Sequence, residues 1–202
     1  MKKIILSAVA VLAFGFTNAQ DVKFGAKAGL NISNVTGDLE GTSSKTGLFF
    51  GGLAEIKISD KFSFQPELLF SSVGAKVVDS DIANNYKSED KYILSYLNVP
   101  LMAKFYVADK FSLEAGPQLG FLLSAKTKYS LNDDGYKVSG TEDLKDEVSS
   151  FDFGFNFGTS YDFTNNISAG VRYSVGLSNV LKGNGSFKSH NSNLAIALAY
   201  KF

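Results

Sequence analysis

The chain has 202 residues with 20 basic and 20 acidic side chains and no cysteine, which excludes disulfides and a cysteine-linked lipid anchor. Past the N-terminal stretch no run of 18 apolar residues occurs, so membrane-spanning helices are excluded, and a hydrophobic content of 45% excludes a disordered chain. The charge balance gives no electrostatic reason to bind nucleic acid, because 18 basic residues face 20 acidic ones once Lys2 and Lys3 are set aside.

The chain opens on MKKIILSAVAVLAFGFTNAQ. Lys2 and Lys3 form a positive start, Ile4 to Phe16 an apolar run, and Thr17, Asn18 and Ala19 a small-residue end. That order predicts a signal peptide over residues 1–19, cleaved between Ala19 and Gln20. The mature domain is then 20–202. Its apolar start is too short for a membrane helix, which needs ~20 residues.

From there the dominant pattern is alternation with period two, the signature of a strand with two unlike faces. A first strand is predicted near 22–32, with Phe24, Ala28, Leu30 and Ile32 opposite Lys27 and Asn31. A second, near 46–58, sets Leu48, Phe50, Ala54, Ile56 and Ile58 against Gly51, Glu55 and Lys57. A third, near 62–75, opposes Phe62, Phe64, Leu68 and Phe70 to Ser63, Gln65, Glu67 and Ser71. The fourth and fifth, near 92–106 and 111–125, place Lys104 and Glu114 on their polar faces. A sixth is read in FDFGFNFGTSYDF, 151–163, where Phe151, Phe153, Phe155 and Phe157 alternate with Asp152, Gly154, Asn156 and Gly158. The seventh, near 167–178, carries Arg172 on its polar face, and the eighth, near 192–202, ends in Leu198, Tyr200 and Phe202.

The connections alternate as well. Ser59 to Lys61, Ala108 to Lys110 and Asp162 to Asn166 are short turns, whereas 33–45, 76–91, 126–149 and 179–191 are long polar links. Eight strands with short turns at one end and long loops at the other predict an all-β, eight-stranded antiparallel up-and-down transmembrane barrel. Closure is forced, because an open sheet edge cannot be satisfied in lipid. A water-soluble barrel of lipocalin type would show the same alternation. Its outward polar face would favour Lys, Glu and Thr, but here Gly, Ser, Ala and Asn dominate, as suits the crowded wall of a narrow lumen. Phe24, Phe62, Phe64, Phe105, Phe111, Tyr161, Phe163, Tyr200 and Phe202 gather at the short-turn end, as an interfacial girdle would.

The opening KFGAKAGLNIS (23–33), the central YLNVPLMAKFYV (96–107), FSLEAGPQLGFLLSAK (111–126) and the closing Phe202 resemble the "porin family" (PorT-like) barrels of Bacteroidetes. In architecture the chain is also similar to small OmpA/OmpX-type barrels. The resemblance implies an outer-membrane location, surface-exposed long loops and insertion by the β-barrel assembly machinery. It also implies that Leu198, Tyr200 and Phe202 act as the assembly signal. It implies no single biochemical activity.

Three constellations could carry function. Lys27, Glu55, Lys57, Glu67, Lys104, Glu114, Asp152 and Arg172 fall on the inward registers, with Lys27, Glu67 and Arg172 at similar heights and Lys104 level with Glu114. Charges in a narrow interior require partners, so a network of ion pairs is expected, either filling the lumen or gating an ionic path. Asn132-Asp133-Asp134-Gly135 has a faint calcium-loop look but lacks the distal glutamate, and reads as a turn. His190, flanked by Ser189 and Ser192, is the one histidine a lipid-modifying enzyme could use. The reading favoured is a structural or surface-interaction protein acting through its outer loops, with no catalytic, cofactor or metal site. A narrow channel is the alternative, and a lipid-modifying enzyme is more distant. The expected partners are outer-membrane lipid and lipopolysaccharide, the assembly machinery and an extracellular partner at the loops, with the barrel itself a monomer.

Overall fold

The computed structural model describes residues 22–38, 41–81, 86–133, 136–183 and 188–202. The predicted signal peptide lies outside them. Among the described residues nine strands form one antiparallel sheet: β1 (Val22–Gly37), β2 (Thr42–Ser59), β3 (Phe62–Asp81), β4 (Tyr86–Ala108), β5 (Phe111–Asp133), β6 (Tyr136–Asp143), β7 (Phe151–Asp162), β8 (Ile167–Gly176) and β9 (Ser189–Lys201). Neighbours run β4-β3-β2-β1-β9-β8-β7-β5-β6, and an added β4–β5 pairing closes the sheet on itself. The closed ring therefore contains the eight predicted strands. Among the described residues β6 pairs with the outer part of β5 alone, from Lys126↔Asp143 to Asp133↔Tyr136.

The alternation read in the sequence is the alternation of faces. Phe24, Leu48, Phe50, Leu68, Leu113, Phe157, Ile196 and Leu198 are exposed on the outside, whereas Asn31, Glu67, Met102, Lys104 and Asn156 are buried within. Large apolar groups facing outward all round a closed ring are stable only against lipid, which supplies the apolar surroundings a core would give elsewhere. At the short-turn end Tyr161 packs edge-on to Phe163 at 5.1 Å, and Tyr200 to Phe202 at 5.5 Å. The terminal Phe202 N–H donates to Phe24 O at 2.8 Å, tying the last residue to the first strand.

The long links depart from expectation. Most of their residues continue the strands: β3 and β4 stay paired out to Asp81↔Tyr86, and β4 and β5 out to Tyr86↔Asp133. Outside the membrane both faces of a strand can be wet, so pairing goes on without the apolar alternation that marks it within lipid. β4 and β5 have 23 residues each and β8 has 10. At ~3.3 Å per residue that difference is roughly 40 Å along the strand. The outer parts of β3, β4, β5 and β6 thus form a tall wall on one side of a barrel that is low at β7 and β8.

One bulge matters for the interior. Ser95 pairs with Ser124 but Tyr96 with Leu122, so β5 carries an extra residue at Leu123. The phase reverses there, and Ala125 and Thr127 turn inward above Leu122. Their inward side receives Val148 and Val180 from the segments before β7 and after β8, which bridge at Val148↔Leu181. With Val73, Leu94 and Tyr96 they make an apolar cap across the outer mouth.

Candidate functional site

The interior is built in layers above the short turns. The lowest is an ion cluster. Lys201 Nζ lies 3.0 Å from both Glu55 Oε2 and Asp162 Oδ1, and Lys104 Nζ lies 3.3 Å from Glu55 Oε2. The Tyr106 hydroxyl donates to Glu55, and its ring lies under the Lys104 ammonium at 5.4 Å. Two cations face two carboxylates, so the cluster is neutral.

Above it lies a second neutral cluster. Arg172 grips both oxygens of Glu67, with Nη1 and Nη2 donating at 2.9 Å each, while its Nε donates to Glu114 Oε1 at 3.0 Å. Lys27 Nζ donates to Glu67 Oε1 at 3.0 Å, and Gln65 Nε2 adds a further bond at 2.6 Å. The Glu67 side chain has no exposed surface. The planar guanidinium suits this place, because one rigid fork satisfies two carboxylates from neighbouring directions. Higher still, the Phe49 ring lies against Leu69, Ala195 and Ala197. Gly29 makes room for it: a Cβ there would stand 2.7 Å from the ring.

The next level is an amide belt. Asn31 Nδ2 donates to Ser71 Oγ at 2.9 Å, Asn193 Nδ2 to Asn31 Oδ1 at 2.9 Å, and Asn156 Nδ2 to Gln118 Oε1 at 3.1 Å. The belt borders a cavity of ≈ 70 Å³, with the apolar cap above it.

The eight charges singled out in the sequence divide as follows. Lys27, Glu67, Glu114 and Arg172 meet in the upper cluster, and Glu55 and Lys104 in the lower. Lys104 and Glu114 are register partners, yet the Lys104 ammonium goes to Glu55 and the Glu114 carboxylate to Arg172. Asp152 stands apart, bonded to Ser178 Oγ at 2.6 Å and Asn191 Nδ2 at 3.0 Å. Lys57 keeps the inward register, opposite buried Ser63, but does not join the network: it stands beside the short turn at the mouth of the barrel, half-exposed, and pairs with exposed Asp60 at 3.0 Å. The lower cluster also holds Lys201, Asp162 and Tyr106, which sequence reasoning missed. Lys201 and Tyr106 carried a signal, since each falls on the inward parity of its strand.

The histidine arrangement does not form a nucleophile and base. His190 Nδ1 lies 2.9 Å from the Ser178 carbonyl oxygen, Ser192 Oγ pairs with the Tyr173 hydroxyl at 2.7 Å, and Ser189 Oγ accepts from Leu181 N–H at 3.2 Å. Asn132 and Asp133 end β5, and Asp134 and Gly135 lie outside the described residues.

A closed antiparallel ring with a lipid-facing exterior and an interior crossed by ion pairs defines a transmembrane β-barrel of the bacterial outer membrane. The family described as "Outer membrane protein beta-barrel domain" matches residues 18–182, and the chain belongs to that family. A search of the curated proteins finds no sequence match. Among solved structures the chain is similar to the neisserial surface protein A, NspA, at 15% identity and a TM-score of 0.54, covering 90% of this chain and 99% of that one. It is also similar to Ail, the attachment invasion locus protein of Yersinia pestis, solved in complex with the heparin analogue sucrose octasulfate (12% identity, TM-score 0.49, 90% and 99% covered). A third is CarO2 of Acinetobacter baumannii (11% identity, TM-score 0.47, 92% and 100% covered). At 15% identity the likeness to NspA is one of fold.

Proposed function

We propose that this protein is a non-conducting, non-catalytic surface protein that acts through the wall formed by the outer parts of β3 to β6. The observation that carries this reading is the contrast between the two ends of the ring. The lumen is filled by two neutral ion clusters and covered by an apolar cap, whereas the wall rises far beyond the length needed to cross lipid. Its last strand, β6, offers a free edge among the described residues, with Tyr136 82% and Val138 55% exposed. An unpaired edge of that kind can add a strand from an extracellular partner.

The finer parts of the reading rest on sequence. They are an origin among the Bacteroidetes "porin family" (PorT-like) barrels, export by a signal peptide cleaved between Ala19 and Gln20, and a barrel domain over 20–202. The same reading has the assembly machinery insert the chain through Leu198, Tyr200 and Phe202, and has it work as a monomer amid lipid and lipopolysaccharide.

The topology is tested by trypsin on intact cells. Lys137 in the wall should be cut from outside, whereas Lys61 and Lys110 at the short turns should be cut only after the outer membrane is permeabilised. Cleavage at Lys61 or Lys110 in intact cells would overturn the orientation, and with it a surface role for the wall.

A second reading is favoured by one observation. Lys104 is bonded to Glu55 while its register partner Glu114 lies on the adjoining strand, so a second carboxylate is near at hand. Exchange between the two would turn the lower cluster into a gated ionic path.

A further inference from the structure

The inward carboxylates are not all alike. Glu55, Glu67, Glu114 and Asp162 each lie within 3.3 Å of a lysine or arginine nitrogen. Together with Lys27, Lys104, Arg172 and Lys201 they form the two neutral clusters. Asp152 lies above both and forms no salt bridge among the described residues. Its partners are the neutral Ser178 hydroxyl and the Asn191 amide. A carboxylate withdrawn from bulk water and bonded only to neutral donors retains a full charge to be balanced.

The groups around it are short of donors. The Asn156, Asn191 and Asn193 side-chain oxygens and the Tyr96 hydroxyl are buried and take no hydrogen bond from any described residue. In each asparagine the amide N–H is already committed to the wall or to the carboxylate: Asn156 to Gln118, Asn193 to Asn31, and Asn191 to Asp152. The carbonyl ends remain. Asn156 has no exposed surface and Tyr96 only 2%. All four side chains and Asp152 line the same cavity of ≈ 70 Å³, which reaches down to Lys27, Lys104, Glu114 and Arg172, whose charges are balanced within the two clusters. That is ample for an ion and a water, since one water needs only ~10–15 Å³ by this measure.

We infer that this chamber binds one small monovalent cation of the sodium class, held by Asp152 and the oxygens of Tyr96, Asn156, Asn191 and Asn193. Hard cations take oxygen ligands. A single carboxylate among neutral oxygens matches a single positive charge and leaves a divalent ion under-neutralised. The chamber lies beneath the apolar cap, and the ion is a resident of the folded barrel rather than a permeant one. Two other titratable groups face the carboxylate: Tyr96, which lines the same cavity, and His190, whose Nδ1 bonds to Ser178 as Asp152 does.

The test compares the folded full-length barrel in sodium chloride and in N-methylglucamine chloride at equal ionic strength and pH 8. Melting is followed by circular dichroism and sodium binding by the width of the ²³Na resonance. Sodium should raise Tm by about 3–6 °C over the organic cation at roughly tenfold saturation. The protein should broaden the ²³Na line, and Asp152→Asn should lose both effects. Tyr96→Phe, which removes one neutral oxygen, should keep the barrel and weaken the broadening. Equal Tm in the two salts with no added line width in the wild type would overturn the site, leaving a chamber of water around Asp152. That comparison stands on the wild type alone if Asp152→Asn does not fold.

Discussion

Arg172 and Glu67 stand 105 positions apart in the chain and meet across the lumen through two bonds of 2.9 Å, with the guanidinium fork gripping both carboxylate oxygens. The pair joins β8 to β3, strands that are not neighbours in the ring. It therefore braces the barrel through its middle rather than along its wall.

The brace has a measurable consequence. Glu67→Ala leaves Lys27 and Arg172 with Glu114 as the remaining carboxylate, an excess positive charge in a space without bulk water. Removing one member of a buried pair costs about 3–5 kcal/mol. Urea unfolding of the protein in detergent or lipid should show a loss of that size, and Glu67→Gln a smaller one. No change in either variant would mean that the cluster relaxes freely and braces nothing.

On the outside the sign of the argument reverses. Phe157 sits midway along β7, half-exposed and packed on Tyr173 at 5.5 Å. Phe157→Arg places a charge at mid-membrane and should cost about 2–4 kcal/mol in lipid vesicles. The same change in a water-soluble barrel would be close to neutral, so the measurement distinguishes a lipid-facing surface from a wet one.

The C-terminus closes the ring as well as ending the chain. Lys201 N–H donates to Asn166 O at 2.7 Å and Phe202 N–H to Phe24 O at 2.8 Å. Deleting Phe202 should lower the amount of folded protein recovered from outer membranes several-fold, while refolding of the purified chain in detergent should suffer less. Equal losses in both would assign Phe202 to the girdle alone.

The cap can be loosened without touching the barrel. Val148 is 2% exposed against Val180 and Leu122. Val148→Asp buries a charge there, and hydrogen exchange should speed up at the amides of Leu122, Ser149 and Lys182, which bond into the cap. Exchange in β1 and β9 should be unchanged. Faster exchange throughout would show that cap and barrel unfold together.

How much of this was legible in the sequence varies with the surroundings. Wherever one face of a strand meets lipid, alternation fixes the phase, and Phe151 to Phe157 state it without ambiguity. Glu67 and Arg172 could be placed at one height from the turn positions alone. The lysine of the lower cluster that closes the ring, Lys201, was available by parity but stood at the end of a run of alanines and was overlooked. β6 and the outer parts of β3 to β5 were not legible, because water on both faces removes the pattern. Nor was the cap, which depends on a bulge at Leu123 and on two segments brought together from before β7 and after β8.

The central claim is that the lumen is filled and closed, and single-channel recording in a planar bilayer tests it most directly. Correctly folded wild-type protein should show no steady conductance in molar salt. Glu67→Ala, with its brace removed, should show brief openings at most. A steady, salt-dependent current from the wild type would contradict the account and make the lower cluster, with Lys104 between Glu55 and Glu114, the gate of a small pore.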